Sequence, residues 1–326
     1  MMPLWEEAEK ISFWGIEVYA FGVYCALGAA LGLGMLYLIC RKEHLKKGTA
    51  PLAGALGLIC AFLCARLFFC LMDQSLGLEG LMPLSAMAMV TGGGYSMMGV
   101  LAGGVLGGML AGRLTGQKML AMGELMLAPL LLFIACERLG EGCVPDFGVS
   151  RPLLGDALKG SFLAVEGDYD WYLATYRLEA AAAVALALIL IWDMHRQHGK
   201  GRYGESLLLF LILFGGVQTV MESLRYDRHL SISFVGLQHV LAIAMLGGAV
   251  LYLAFRRRKD RRKLALAAAV SVPLVVILGL LLEFAIDRTT VNRYLLYAAY
   301  VLLVAVPMYL GVKLRKEDTP VGKVSD

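Results

Sequence analysis

Glu137-Arg138-Leu139-Gly140-Glu141 closes an apolar run that begins at Leu125 and is long enough to cross much of a bilayer. Three charges therefore stand where hydrocarbon gives way to water or to a polar cavity. An ion at such depth costs roughly 2.5 to 3.5 kcal/mol on insertion scales. Two arrangements offset that cost: a helix end whose Arg snorkels to the headgroups beside Glu partners, or an anionic substrate gripped by Arg138. Arg66 lies deeper still, in Cys64-Ala-Arg66-Leu-Phe, where pairing inside a helix bundle is favoured over exposure to lipid. Arg177 with Glu179, Gln218 with Glu222 and Arg225, and Gln238 recur near the ends of other apolar segments. Guanidinium is a planar, permanently charged fork that matches phosphate. Arg groups from several spans, interleaved with carboxylates that orient them, suit a phosphate or another anion in a cavity opening to the outer leaflet. A purely structural ion network is the alternative.

The elements that must position these groups follow from composition. The 326 residues are 59% hydrophobic, the mean hydropathy is +0.70, and apolar runs reach membrane-spanning length, which defines an all-α polytopic helical membrane protein. The net charge of +4 lies in short basic blocks between apolar segments, where it sets orientation rather than binding nucleic acid. About nine spans are expected, over 19–40, 51–72, 91–114, 119–136, 173–192, 203–221, 232–255, 264–286 and 294–312. RKEHLKK, DMHRQHGKGR and RRRKDRRK follow the first, fifth and seventh. They put the N-terminus outside and the C-terminus in the cytoplasm.

Residues 1–18 carry Trp5, Trp14, Glu6, Glu7 and Glu17 but no basic n-region or small-residue cleavage site, so an interfacial helix is expected rather than a removable signal peptide. Asp73 and Glu79 belong to an external loop that leads to Met82-Pro83 and a re-entrant or interfacial segment. Residues 138–172 form a small external head with aromatic residues at its re-entry, Trp171-Tyr172. In the third span, glycines 99, 103 and 107, with 104 and 108 beside them, make a smooth ridge for close approach of a neighbouring backbone. The preceding Gly92-Gly93-Gly94 reads as a loop whose N–H groups point at something. The seven cysteines lie mostly in or beside apolar segments and fit helix packing better than a metal site or a disulfide framework. No cofactor is implied.

The order of several motifs resembles a known family. Gly-Val-Tyr opens span one, Ala-Arg66-Leu-Phe lies in span two, and Gly93-Gly94-Tyr95-Ser96-x-x-Gly99 opens the Gly-rich span three. Ala128-Pro129 is followed by Arg138-Leu-Gly140, then Glu222-Ser-Leu-Arg225-Tyr-Asp227, with Gln238 leading span seven. This looks like a divergent prolipoprotein diacylglyceryl transferase over roughly residues 15–255. The resemblance implies a seven-span transferase-like core over 19–255, leaving two additional spans and a tail over 256–326. It implies a bacterial plasma-membrane enzyme that moves the diacylglyceryl group of phosphatidylglycerol onto the lipobox Cys thiol in the signal peptide of a prolipoprotein and releases glycerol phosphate.

Carried onto this chain, Arg138 matches the family's Arg in Gly-Arg-x-Gly-Asn, with Glu137 and Glu141 standing where its Gly and Asn stand. Glu222 and Arg225 match a Glu and a second Arg. Gln218 occupies the place of another Arg, Met98 that of a His, and Phe21 that of a Tyr. The resemblance thus implies that Arg138, with Arg66 or Arg225, holds the lipid phosphate, and that Glu141 and Glu222 orient them, either being able to accept the thiol proton. Gln218, Tyr95 and Gln238 complete the expected substrate contacts. Met98 takes no proton and Gln218 brings no charge, which leaves two rivals: a relative acting on another anionic lipid, and a non-enzymatic lipid-binding or transport protein.

Overall fold

A computed structural model describes residues 8–13, 15–72, 94–145, 147–167, 169–226, 231–232, 235–289 and 291–316. Asp73, Glu79, Met82-Pro83, Gly92-Gly93 and Asp227 fall outside them. Nine helices among the described residues are long and apolar enough to cross a membrane, and the protein is a multi-pass helical membrane protein. It divides into two compact units: 1–207 with 224–238, and 208–223 with 239–326. The division differs from the boundary expected at 255, because residues 208–223 and 239–255 group with the last two helices.

Of the expected interfacial helix, residues 1–7 and 14 lie outside the described residues; within the rest, 10–13 and 16–19 form instead an antiparallel hairpin, β1 (Lys10–Phe13) and β2 (Ile16–Tyr19). The reason is in the pattern. Ile11 and Phe13, then Ile16 and Val18, alternate with period two on either side of Gly15, which sits at φ 81° where an L side chain is strained. Four helices follow: α1 (Ala20–Lys42), α2 (Thr49–Met72), α3 (Met97–Thr115) and α4 (Met119–Glu141). The expected glycine ridge is present. Gly99, Gly103 and Gly107 on α3 rest against the backbone of Cys64-Ala65, Cys60-Ala61 and Leu56-Gly57 on α2, where a methyl group would overlap main-chain atoms.

α4 is the most buried of the spans and packs on α1, α3 and α5 (Thr175–His198). Gly28 and Gly32 of α1 approach it so closely that an added Cβ would lie 2.9 Å from the carbonyl oxygens of Phe133 and Pro129. The expected external head is a three-stranded sheet, order β3-β5-β4, built from β3 (Val149–Pro152), β4 (Ala164–Glu166) and β5 (Trp171–Ala174). Residues 138–141 are not part of it. They continue α4, which runs five residues beyond the end expected at 136.

The second unit holds most of α6 (Glu205–Leu224) and α7 (Leu237–Arg257), with α8 (Arg262–Arg288) and α9 (Arg293–Arg315). A two-residue pair, β6 (Ser231–Ile232) and β7 (Val235–Gly236), precedes α7. Ile212, Val250, Ala268, Val275, Tyr300 and Val304 draw one apolar core from all four helices. The two C-terminal helices therefore complete this core rather than hang from it.

Candidate functional site

Extending α4 to Glu141 decides the geometry around Arg138. Arg138 and Glu141 are three residues apart, so they share a helix face, and one guanidinium N–H of Arg138 donates to the Glu141 carboxylate. Arg138 Nε also lies 3.2 Å from Glu137 Oε2 and 3.4 Å from Glu179 Oε2 on α5. Arg225, just after α6, meets the same two carboxylates: its Nη1 is 3.1 Å from Glu141 Oε2 and 3.2 Å from Glu179 Oε1. Two guanidiniums are thus bridged by two shared carboxylates, with a third beside them. Arg138 (3%), Glu141 (2%), Glu179 (4%) and Arg225 (7%) are almost wholly buried, where charge–charge attraction is far stronger than in water.

The external head fastens Arg225 in place. Tyr226 N donates to Val149 O at 3.0 Å, Arg225 bridges to Ser150 of β3, and its guanidinium stands 5.5 Å from the centre of the Phe147 ring. Gly148 links head and network. It sits at φ 67°, and a Cβ there would lie 3.0 Å from Glu141 Oε2. Its carbonyl accepts from Thr175 Oγ1 at 2.6 Å and Tyr176 N at 3.0 Å, which anchors the first turn of α5.

Arg66 occupies a separate setting. Its Nη1 donates to Gly94 O at 2.9 Å, and the rings of Phe69 and Tyr95 lie 5.7 and 5.8 Å from the guanidinium carbon. Tyr95 is half exposed and Arg66 is buried. The N-terminus of α3 links the two settings, because Arg138 Nη2 reaches Met97 Sδ at 3.0 Å two residues after Tyr95. Met98, in the place expected for a His, is buried beside it. Phe21 packs near Gly140 and, as a Phe, brings no hydroxyl there.

Two of the residues singled out in the sequence, Gln238 and Arg177, stand apart from this network among the described residues. Gln238 is half buried at the start of α7, and no hydrogen bond ties it to Arg138, Glu141 or Arg225 among the described residues. Gln218 and Glu222 belong to the second unit, where Gln218 Nε2 donates to Glu222 Oε1 at 3.0 Å. Arg177 turns elsewhere, donating to Phe162 O and stacking on the Phe162 and Tyr176 rings. Among the described residues, no three His, Cys, Asp or Glu side chains gather as metal ligands.

Glu179 is the participant that sequence reasoning grouped with the charges at the span ends but gave no individual role in the site. A signal for it exists: Tyr176, Glu179, Ala180, Ala183, Leu186, Ala187 and Leu190 form one buried stripe at helical spacing. Glu179 therefore faces inward while Arg177, two residues away, cannot share its direction.

A family model, prolipoprotein diacylglyceryl transferase, matches residues 9–282. The chain belongs to this family. The match extends past 255 through most of α8. A phosphatidylglycerol–prolipoprotein diacylglyceryl transferase of Bacillus licheniformis is 24% identical over 253 residues, 76% of this chain and 91% of the relative. A protein of the same name from Bacillus velezensis is 23% identical over 257 residues, covering 75% and 90%.

Proposed function

We propose that this chain transfers the diacylglyceryl group of phosphatidylglycerol to the lipobox Cys thiol of a prolipoprotein. The observation that carries this reading is the pair of buried guanidiniums, Arg138 and Arg225, bridged by Glu141 and Glu179 in a member of this transferase family. In the reaction the thiol sulfur bonds to the glycerol carbon and the carbon–oxygen bond to phosphate breaks. The electron pair leaves with the phosphate oxygen as glycerol phosphate. The thiol proton must reach a base, because the thiolate is the nucleophile.

The network supports both requirements at once. Arg138 and Arg225 are fixed positive charges suited to a phosphate whose charge grows as the bond breaks. They are neutralised at rest by carboxylates. When Glu141 accepts the thiol proton it relaxes its hold on both guanidiniums, which can then turn to the departing phosphate. Glu179 holds the two Arg side chains in register, while Arg66 and Tyr95 border the lipid headgroup. In this proposal Gln218 and Gln238 contact the substrate, and Glu222 supports an Arg or accepts the proton. In this reading the protein sits in the bacterial plasma membrane, N-terminus outside and C-terminus in the cytoplasm, as the basic loops favour.

Vesicles of phosphatidylglycerol containing the full chain and a lipobox peptide test the proposal. Diacylglyceryl peptide is expected with the natural chain and none with Arg138→Ala. No product from folded natural protein overturns the transferase reading. Retained binding of anionic lipid in that case would assign the chain to another anionic lipid, the outcome that Met98 and Gln218 would explain.

A further inference from the structure

The turn that joins α7 to α8 and the end of α9 carry charge that the proposed transfer reaction does not use. Residues 256–263 are seven Arg or Lys and one Asp, and 313–316 add Lys313, Arg315 and Lys316. The fold brings the two segments together, although they lie 52 residues apart in the chain: Arg261 Nη1 donates to Lys313 O at 2.9 Å. That carbonyl belongs to the last turn of α9, where the helix itself supplies no partner. Arg258, Lys259, Arg262, Lys263, Lys313 and Lys316 are exposed. The acidic group of the turn, Asp260, lies 4.0 Å from Arg257, outside these six.

Exposed aromatic rings fix the depth of the cations. The Arg258 guanidinium stands 4.2 Å from the centre of the Phe255 ring, and Lys313 Nζ stands 5.7 Å from that of Tyr309. Phe255 and Tyr309 are 65% and 64% exposed, within two turns of the ends of helices long and apolar enough to span the membrane. Rings at such positions settle at the boundary between headgroups and acyl chains. A cation laid over the ring is held at that depth, beside lipid, rather than extended into water. The first turn of α8 starts in the same turn with no side chain capping it, so its backbone N–H groups add to the positive end. Membrane orientation accounts for the number of basic residues at a span end. It does not require that two distant segments be joined, or that their cations lie on lipid-facing rings. Guanidinium and ammonium groups bind phosphate. A zwitterionic lipid brings an ammonium of its own, which this cluster repels, so the chemistry selects a headgroup of net negative charge.

We propose that the α7–α8 turn and the end of α9 form a binding site for anionic phospholipid, gripping the headgroup phosphate in the leaflet on this side of the protein. The site shares no residue with the Arg138 network and does not rest on the transfer reaction. In the orientation proposed above, that leaflet is the cytoplasmic one.

The test places the full chain in vesicles of phosphatidylcholine and phosphatidylglycerol, one lipid or the other carrying brominated acyl chains, with Tyr309→Trp as the reporter. Bromine quenches a Trp that the lipid touches, so lipid held elsewhere on the protein does not enter the reading. The signal of the natural chain's four Trp is subtracted. Phosphatidylglycerol should be preferred at this Trp by about fivefold or more, the advantage that one basic residue near the surface gives an anionic headgroup. The preference should shrink at about 1 M salt, and it should fall toward one when Arg258→Gln and Lys313→Gln are added. A preference near one in Tyr309→Trp overturns the proposal. So does a preference that survives both added substitutions undiminished, since it would belong to the overall positive charge of the chain. If Tyr309→Trp does not fold, Phe255→Trp reports on the same site from α7 and is judged by the same outcomes.

Discussion

The two ends of α4 each bury a glutamate, and they treat it differently. At the start, Glu124 Oε1 accepts from the backbone N–H groups of Ser206 and Leu207 at 2.7 and 3.0 Å, and Oε2 pairs with His198 Nε2 at 2.9 Å. It caps the first turn of α6, where a negative charge also complements the helix dipole. Asp193 reinforces the joint by accepting from Ser206 Oγ at 2.9 Å. At the far end, about 26 Å along the axis at 1.5 Å per residue, the Glu141 carboxylate pairs, among the described residues, with the side-chain guanidiniums of Arg138 and Arg225. Backbone partners cannot leave without unwinding a helix. Side-chain partners can be exchanged for a substrate, so the first glutamate serves the fold and the second can serve chemistry.

Arg138→Ala offers the sharpest test of that contrast. Removing a preorganised positive charge from a developing anion costs about 3 kcal/mol or more of barrier, a hundredfold or greater loss in turnover. Diacylglyceryl-peptide formation per folded molecule should fall by that much, even though removing a partner of buried carboxylates also lowers the unfolding midpoint. Unchanged turnover per folded molecule would make the far end structural too.

Glu124→Ala should give the opposite pattern. Leaving the Ser206 and Leu207 N–H groups and His198 without their acceptor is expected to destabilise the chain by about 1 to 3 kcal/mol, seen as a lower unfolding midpoint. The KM for phosphatidylglycerol in surviving protein should stay unchanged. A raised KM with unchanged stability would erase the distinction between the two ends.

The scaffold that carries α4 can be challenged at Gly103. A Leu there would strike the backbone of Cys60 on α2, and overpacking of this kind costs about 1 to 3 kcal/mol. Gly34, whose Cβ would meet nothing, is the matched control. Gly34→Leu should leave folded yield intact where Gly103→Leu lowers it.

The smallest effect concerns Cys143, just past the Arg138 end. Burial, and then the Glu9 carboxylate that accepts from it, push its thiol upward from the ordinary value of 9.0. Less thiolate is then present at neutral pH than for an ordinary Cys, and alkylation by a maleimide should be slow. Glu9→Gln should speed labelling, since it removes the neighbouring negative charge; an unchanged rate would show that burial alone sets the reactivity.

Hydropathy and residue order alone determined the spans and the glycine ridge on α3, and singled out Arg138, Glu141 and Arg225, which the structure joins by ion pairs. Those features depend on local rules: a bilayer demands a run of apolar residues of fixed length, and a ridge of small residues at four-residue spacing lies on one helix face whatever packs against it. The hairpin over 10–19 was open to misreading, because five apolar residues in the eight from Ile11 to Val18 can be fitted to either period until a turn at Gly15 divides them. Tertiary structure alone decided that α4 continues to Glu141, that Glu179 and not Arg177 bridges the two guanidiniums, and that Arg261 reaches the end of α9. A charged side chain takes its partner from the rotation and packing of separate helices, and no spacing within one segment encodes that choice.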